Sequence, residues 1–345
     1  METGKISESI LKRSVLKNIR HRRDEVAYKA GPADDCAFVS IEKSTKKQIA
    51  LSINPVICQK ELPGYGTLAV YRAVNDIAAA GGEAVGILIS ILLPENAQEN
   101  YLRLLMQEME DAAASLQIEI MGGHTEVTAV VTETVIHVTA LGMAQAGSVQ
   151  NVRGFRAGYE LVLTGYAGAA GTALIAAGGK EELNRRYRED FLERAQGFLS
   201  EISVVQEAGK VKECLGTQTA AGLHNAACGG IFGALWGIAS AAGLGFSVDL
   251  RKIPLHQETV EVCEFYNLNP YMLLSEGCLL VGVPNGYALA EALTKAGIKA
   301  RVIGCMTEGH DKRIKNGEET RCLDMPKGDE LDAYFKLGRQ VMKNT

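Results

Sequence analysis

Proline is scarce in this chain, at 8 in 345 residues, and tryptophan occurs once. So few prolines beside 37 glycines exclude a Pro-rich linker protein and point to tight turns and close backbone approaches. A basic excess is missing too. With net charge −5 and a pI near 5.8, there is no global field to hold a nucleic-acid backbone. The basic run RHRRDE, Arg20–Glu25, reads as a solvated helix end. Paired cysteine spacing is absent: Cys36, Cys58, Cys214, Cys228, Cys263, Cys278, Cys305 and Cys322 form no C-x-x-C and no zinc-type pattern. The start, METGKISESILKR, lacks the apolar core of a secretory leader. Together these favour a cytoplasmic protein with free thiols. The Walker loop G-x-x-x-x-G-K-[ST], a G-x-G-x-x-G between strand and helix, and any strict short-period repeat are likewise missing, which excludes the usual nucleotide loops and solenoids.

What is there is ordinary for a globular protein: 47% hydrophobic, 22% charged, and long enough for two cores. One segment invites a membrane reading. AACGGIFGALWGIASAAGL, residues 226–244, is almost wholly apolar and of spanning length. As a lone span without a flanking Lys/Arg cluster, it reads better as a buried Gly/Ala-rich helix.

Periodicity predicts an amphipathic helix over 5–20, then strands CAFVSI and QIALSINPVI, a helix ending in YRAVNDIAAAGGEA, and strand VGILISILL. A helix over 97–116, a short strand IEIMGG and a long alternating strand AVVTETVIHVTALGMA follow. The chain turns polar and Gly-rich around 145–158, which places a domain boundary there: residues 1–152 and 153–345. The second half predicts strand LVLTG, a helix, a charged helical pair over 180–213, the apolar helix, strand GFSVDL, a helix near 256–265, strand CLLVGV, helix YALAEALTKAG and strand ARVIGCM. Strict βαβ alternation is absent in both halves, so the fold class is α+β, two α/β sandwiches rather than one doubly wound sheet.

Four stretches carry candidate chemistry. In GPADDCAFVS, Asp34 and Asp35 precede a strand and can hold a hard cation, or make an Asx-turn. In YRAVNDIAAAGGEA, Asp76 follows Arg72 by one turn, so an i,i+4 ion pair explains it, but leaves Asn75, a poor mid-helix residue, without a role. In MGGHTEV, Gly122 and Gly123 admit an anion to backbone N–H groups, His124 and Thr125 follow, and Glu126 can reach a metal; a tight turn is the plainer alternative. In LHNAACGGIFGALW, a helix starting at Gly229–Gly230 aims N–H groups at a phosphate, or packs closely. Cys228 at that helix start has no identifiable partner base.

The order of these four stretches resembles the aminoimidazole ribonucleotide (AIR) synthetase superfamily, which is PurM-like and includes thiamine-monophosphate kinase. GKIS from Gly4, PGYGTLAVYRAVNDIAAAGG, GGHTEV and IPLHQETVEVCEFYNLNPYMLLSEGCLLV resemble its hydrogenase-maturation, HypE-like branch. The resemblance implies two AIR-synthetase-type domains, with the N-terminal sheets of a homodimer closing a barrel. It implies ATP held between the domains and across the dimer, and Mg²⁺ on the phosphates. The reaction implied is phosphoryl transfer to a carbonyl, amide or phosphate oxygen of a small molecule or protein tail. It makes Asp34, Asp35, Asp76 and Glu126 the metal candidates. Asp76, Asn75 and His124 become the catalytic ones, and Gly122, Gly123, Thr125, Gly229 and Gly230 the ligand-binding ones. Three acids expected from the resemblance are neutral here, at Asn54, Asn225 and Cys228, and the chain ends KLGRQVMKNT without the branch's terminal cysteine. These departures weaken the expected Mg²⁺ site and leave open a relative that binds without turnover, or a kinase of the thiamine-monophosphate type. No nucleic-acid or membrane partner is expected.

Overall fold

The computed structural model describes residues 8–21, 23–27, 31–41, 46–146, 151–216 and 221–343. GKIS, part of the basic run, the stretch 147–150 and the last two residues lie outside the described residues. The single amphipathic helix expected over 5–20 is a broken one. α1 (Glu8–Ile10) runs into a π turn at Leu11–Val15 and a 3₁₀ turn at Leu16–Asn18, with no buried residue in either turn. With no fully buried residue in these turns, little burial is gained to hold one straight helix.

The first half contains β1 (Ala37–Ser40), β2 (Lys47–Cys58), α2 (Tyr65–Ala79), β3 (Glu83–Leu93), α3 (Glu99–Ser115), β4 (Glu119–Val127) and β5 (Thr134–Gln145). Its sheet has the order β1-β2-β5-β3-β4, antiparallel except for the β3–β4 pair that α3 connects. Alternation along β2 sorts side chains between two faces. Ser52, Val56 and Cys58 are buried towards the helices, while Ile53 and Ile57 are exposed on the open face. Cross-strand register places Ile53 and Leu88 on either side of Thr139.

The strand expected to stop at a double glycine continues to Val127. A Cβ at Gly123 would lie 1.8 Å from the Ile89 carbonyl oxygen, so glycine lets β4 run against β3. AVVTETVIHVTALGMA becomes strand only from Thr134.

The second half holds β6 (Glu160–Thr164), α4 (Ala169–Gly178), α5 (Lys180–Leu183), α6 (Glu189–Gly197), α7 (Val205–Leu215), β7 (Gly222–Ala226), α8 (Gly230–Ala242), β8 (Gly245–Asp249), α9 (Gln257–Tyr266) and β9 (Cys278–Val283). It ends with α10 (Gly286–Lys295), β10 (Ala300–Thr307), β11 (Lys312–Asn316), β12 (Glu319–Cys322) and α11 (Glu330–Lys343). The sheet order is β12-β11-β8-β10-β6-β9-β7, with β8–β11 parallel. The expected charged pair over 180–213 is three helices, α5 to α7. The β11–β12 hairpin and α11 extend beyond the elements read from periodicity.

These are two mixed α/β domains, each a sheet with helices packed on it. α8 takes up only 13 residues of the apolar segment. Among the described residues no helix is long and apolar enough to cross a membrane. None of the eight cysteines is in a disulfide.

α2 belongs to both halves. It packs on β2, β3, β5 and α3 on one side, and meets β7 and α7 on the other. Every residue of it is buried except Thr67 and Asp76, which are partly exposed. A helix enclosed all round has to be apolar all round, so polar residues on it need partners of their own.

Candidate functional site

Arg72, Asn75 and Asp76 share one face of α2, at helical spacing. Asn75 is fully buried. Its Nδ2 donates to the Ile202 carbonyl oxygen at 2.7 Å and to Glu276 Oε1 at 2.9 Å, and its Oδ1 accepts from the Val204 N–H at 2.9 Å. Both donors and an acceptor are spent on the second half. Asn75 therefore ties α2 to the segment before α7 and to Glu276.

Glu276 stands between α9 and β9, in LLSEGC, and is fully buried. A buried carboxylate needs compensation from charge and hydrogen bonds. Arg72 Nε donates to its Oε2 at 3.2 Å, and Asn225 Nδ2 to its Oε1 at 2.9 Å. Arg72 Nη1 also donates to the Pro55 carbonyl oxygen at 3.4 Å. Burial lowers the Arg72 value, but neighbouring Cys228 and Glu276 more than offset this, and its pKa is raised overall. The local expectation of an Arg72–Asp76 pair fails here. Such a pair contributes a few tenths of a kcal/mol, whereas a buried Glu276 without its cation would cost several.

Asp76 is held by amides instead. Asn54 Nδ2, from β2, donates to Oδ2 at 2.7 Å, and Asn225 Nδ2, from β7, donates to Oδ1 at 2.9 Å. Burial, then the charges of Asp35 and Glu276, push the Asp76 carboxyl well above the ordinary carboxylate range, against the pull of the two amides. Asp35 sits 2.8 Å from His224 Nδ1, next to Asn225 on β7. Asp34 is gripped by Arg153, with Nη1–Oδ1 at 2.6 Å and Nη2–Oδ2 at 2.7 Å. Cys36 shares this neighbourhood: burial first, then Asp76, Asp35 and Asp34, raise its thiol well above normal.

The remaining candidates lie elsewhere. His124 Nε2 and Glu126 Oε2 are 3.1 Å apart on exposed β4. β4 lies three strands from β2, about 14 Å at the usual strand spacing. Within one chain, then, Glu126 does not join Asp34, Asp35 and Asp76. Gly122, at φ +147, has open space, since a Cβ there would meet only Leu88 Cδ2 at 3.9 Å. Gly229 and Gly230 start α8 as expected, with φ +81 and +62. The Gly229 N–H is already taken, donating to Asp329 Oδ2 at 2.7 Å, while Leu274 and Leu331 N–H groups donate to Oδ1. Burial lifts Asp329 to about 6 despite these three donors.

Glu276, His224, Asp329 and Arg153 are polar residues of this region that local patterns miss. The signal for Glu276 was a lone acid inside an apolar run.

Set against Mg²⁺, the donor set does not fit. Arg153 occupies Asp34, His224 occupies Asp35, and amides hold both oxygens of Asp76. Among the described residues, no group of three or more His, Cys, Asp or Glu is placed to hold a metal ion. Two cavities among the described residues, of about 400 and 390 Å³, share no residue with the seam formed between the halves by Arg72, Asn75, Asp76, Asn225 and Glu276. One is lined by Leu250, Ile314 and Arg321, the other by Tyr287, Lys295 and Arg301.

Residues 33–144 match the family described as AIR synthase related protein, N-terminal domain, and residues 156–316 its C-terminal domain. Carbamoyl dehydratase HypE of Rhodobacter capsulatus is 28% identical over 287 residues, covering 80% of this chain and 81% of that protein. A solved HypE–HypF complex aligns with TM-score 0.70 at 22% identity, covering 85% of this chain and 93% of that one. HypE in complex with ATP aligns with TM-score 0.68 at 19% identity, covering 94% and 95%. At such identities the two structures share the fold.

Proposed function

The chain belongs to the AIR synthase related family, and from that premise we propose that it binds ATP or another phosphorylated ligand as a homodimer, in a hydrogenase-maturation-like role. The reaction class is phosphoryl transfer to a carbonyl, amide or phosphate oxygen of a small molecule or protein tail, driven by positioning and charge neutralisation. The domain division in this reading falls between residues 152 and 153.

The observation that carries the reading is the two-domain fold, which matches the family over residues 33–144 and 156–316, with α2 joining the two halves through Asn75, Asp76, Asn225 and Glu276. In this reading Gly122, Gly123, His124 and Thr125 of β4 contact the ligand, and they meet the Asp76 region only across the homodimer, since within one chain β4 lies apart from it. The likeness to an ATP-bound HypE fold supports the ligand class. The open sheet face, with Ile53, Ile57, Leu88 and Met143 exposed, supports the dimer.

A second reading, binding without turnover, is favoured by one observation: Asp34, Asp35 and Asp76 are already bonded within the chain. Calorimetry with ATP, followed by a hydrolysis assay, tests both. Saturable binding with slow phosphate release supports phosphoryl transfer. Binding without release supports the second reading. Absence of heat at ATP concentrations on the order of 1 mM refutes both.

A further inference from the structure

We propose that Asn54 and Asn225 stand in for a divalent cation at Asp76, so that ligand binding at this seam is independent of Mg²⁺. The cation half of the inference stands alone; the ligand half rests on the binding reading above.

Two carboxylates brought close need something positive between them. Asn225 Nδ2 supplies it, lying 2.9 Å from Asp76 Oδ1 and 2.9 Å from Glu276 Oε1. An amide nitrogen has two hydrogens, and both are used. Asn54 Nδ2 closes the other Asp76 oxygen at 2.7 Å. Arg72 occupies the far oxygen of Glu276.

The amide's orientation is fixed by its neighbours. Turning Asn225 over would set its oxygen against two carboxylate oxygens. The observed orientation is kept although Asn225 Oδ1 is buried without a hydrogen-bond partner. An approaching cation therefore meets N–H hydrogens aimed at the oxygens it needs, and the amides offer it no anionic oxygen in exchange. Mg²⁺ demands near-octahedral oxygen ligation and gives up water reluctantly, so this carboxylate is a poor target for it.

Asn and Asp have nearly the same shape, so charge alone can be changed. The full-length protein is titrated with Mn²⁺, following the free ion by electron paramagnetic resonance, in wild type, Asp76→Asn and the double variant Asn54→Asp/Asn225→Asp. Wild type is expected to show no saturable site up to about 1 mM. The double variant is expected to acquire one, and to melt higher with Mn²⁺ than without.

A saturable wild-type site that Asp76→Asn abolishes overturns the proposal. Failure of a folded double variant to bind Mn²⁺ also overturns it. Should that variant not fold, the wild-type titration decides by itself.

ATP calorimetry in EDTA and in Mg²⁺ then tests the ligand half. Affinities within about twofold support it, and an Mg²⁺ preference of about tenfold or more overturns it. No binding in either buffer refutes the ligand-binding reading, while the Mn²⁺ titration still decides the cation half.

Discussion

Asn75 Nδ2 lies 2.9 Å from Glu276 Oε1, although 201 positions separate the two residues. The same amide holds the Ile202 carbonyl, and its oxygen takes the Val204 N–H. Asn75→Ala removes all three bonds and leaves buried groups unpaired, each at about 1–3 kcal/mol. A destabilisation of about 2–5 kcal/mol is expected in guanidinium unfolding, read as a lower midpoint. A loss under about 0.5 kcal/mol would show that these bonds do not hold the seam.

The Arg72–Glu276 pair makes a sharper test because both partners are buried. Arg72→Met leaves the Glu276 charge uncompensated and is expected to cost about 3–5 kcal/mol. Adding Glu276→Gln to that variant should recover part of the loss, since a neutral amide needs no cation. Additive effects in the double-mutant cycle would contradict a coupled pair.

Much of the fold was legible because short-range patterns decide it. The alternation along QIALSINPVI gave β2, and Gly229–Gly230 marked the start of α8. The candidate site was less so, because its bonds run between segments far apart. Arg72 and Asp76 have the spacing of a helical ion pair, yet Arg72 turns to Glu276, a residue 204 positions away whose burial no local rule reveals. Asn54 and Asn225 read as missing acids in the sequence. In the fold they are the two donors that satisfy Asp76. MGGHTEV suggested a turn, but the near contact of Gly123 with Ile89 makes it a strand. The phosphate expected at the α8 N-terminus has a rival in Asp329, whose sequence neighbourhood, MPKGDE, carries no sign of that role.

The open face of the first sheet yields a prediction on assembly. Ile53 is 67% exposed and Leu88 47%, on either side of Thr139. In the proposed homodimer these apolar side chains, in register on the sheet, would be covered by a second copy. The wild type is expected to sediment as a dimer, and Ile53→Asp/Leu88→Asp as a folded monomer, because neither side chain supports the core of its own chain. A wild-type monomer at concentrations on the order of 10 μM would remove this face as the dimer contact.

His256, just before α9, gives a pH prediction. Its ring is stacked between Tyr166, with centroids 3.7 Å apart, and Phe198, at 4.1 Å. Burial lowers its pKa from 6.5, with Glu201 and Glu258 pulling weakly upwards. The unfolded chain therefore takes up this proton first as the medium is acidified. The contribution of neutral His256 is full above about 6.5 and drains away as pH falls through 6.5 towards the lower folded value. Other groups titrate in the same range, so the comparison has to be between variants. His256→Phe keeps a stacking ring without a titrating group. Its melting temperature should fall less steeply than that of the wild type between about pH 7.5 and about pH 5.5. Parallel slopes for the two proteins would mean that protonating this ring does not disturb the stack.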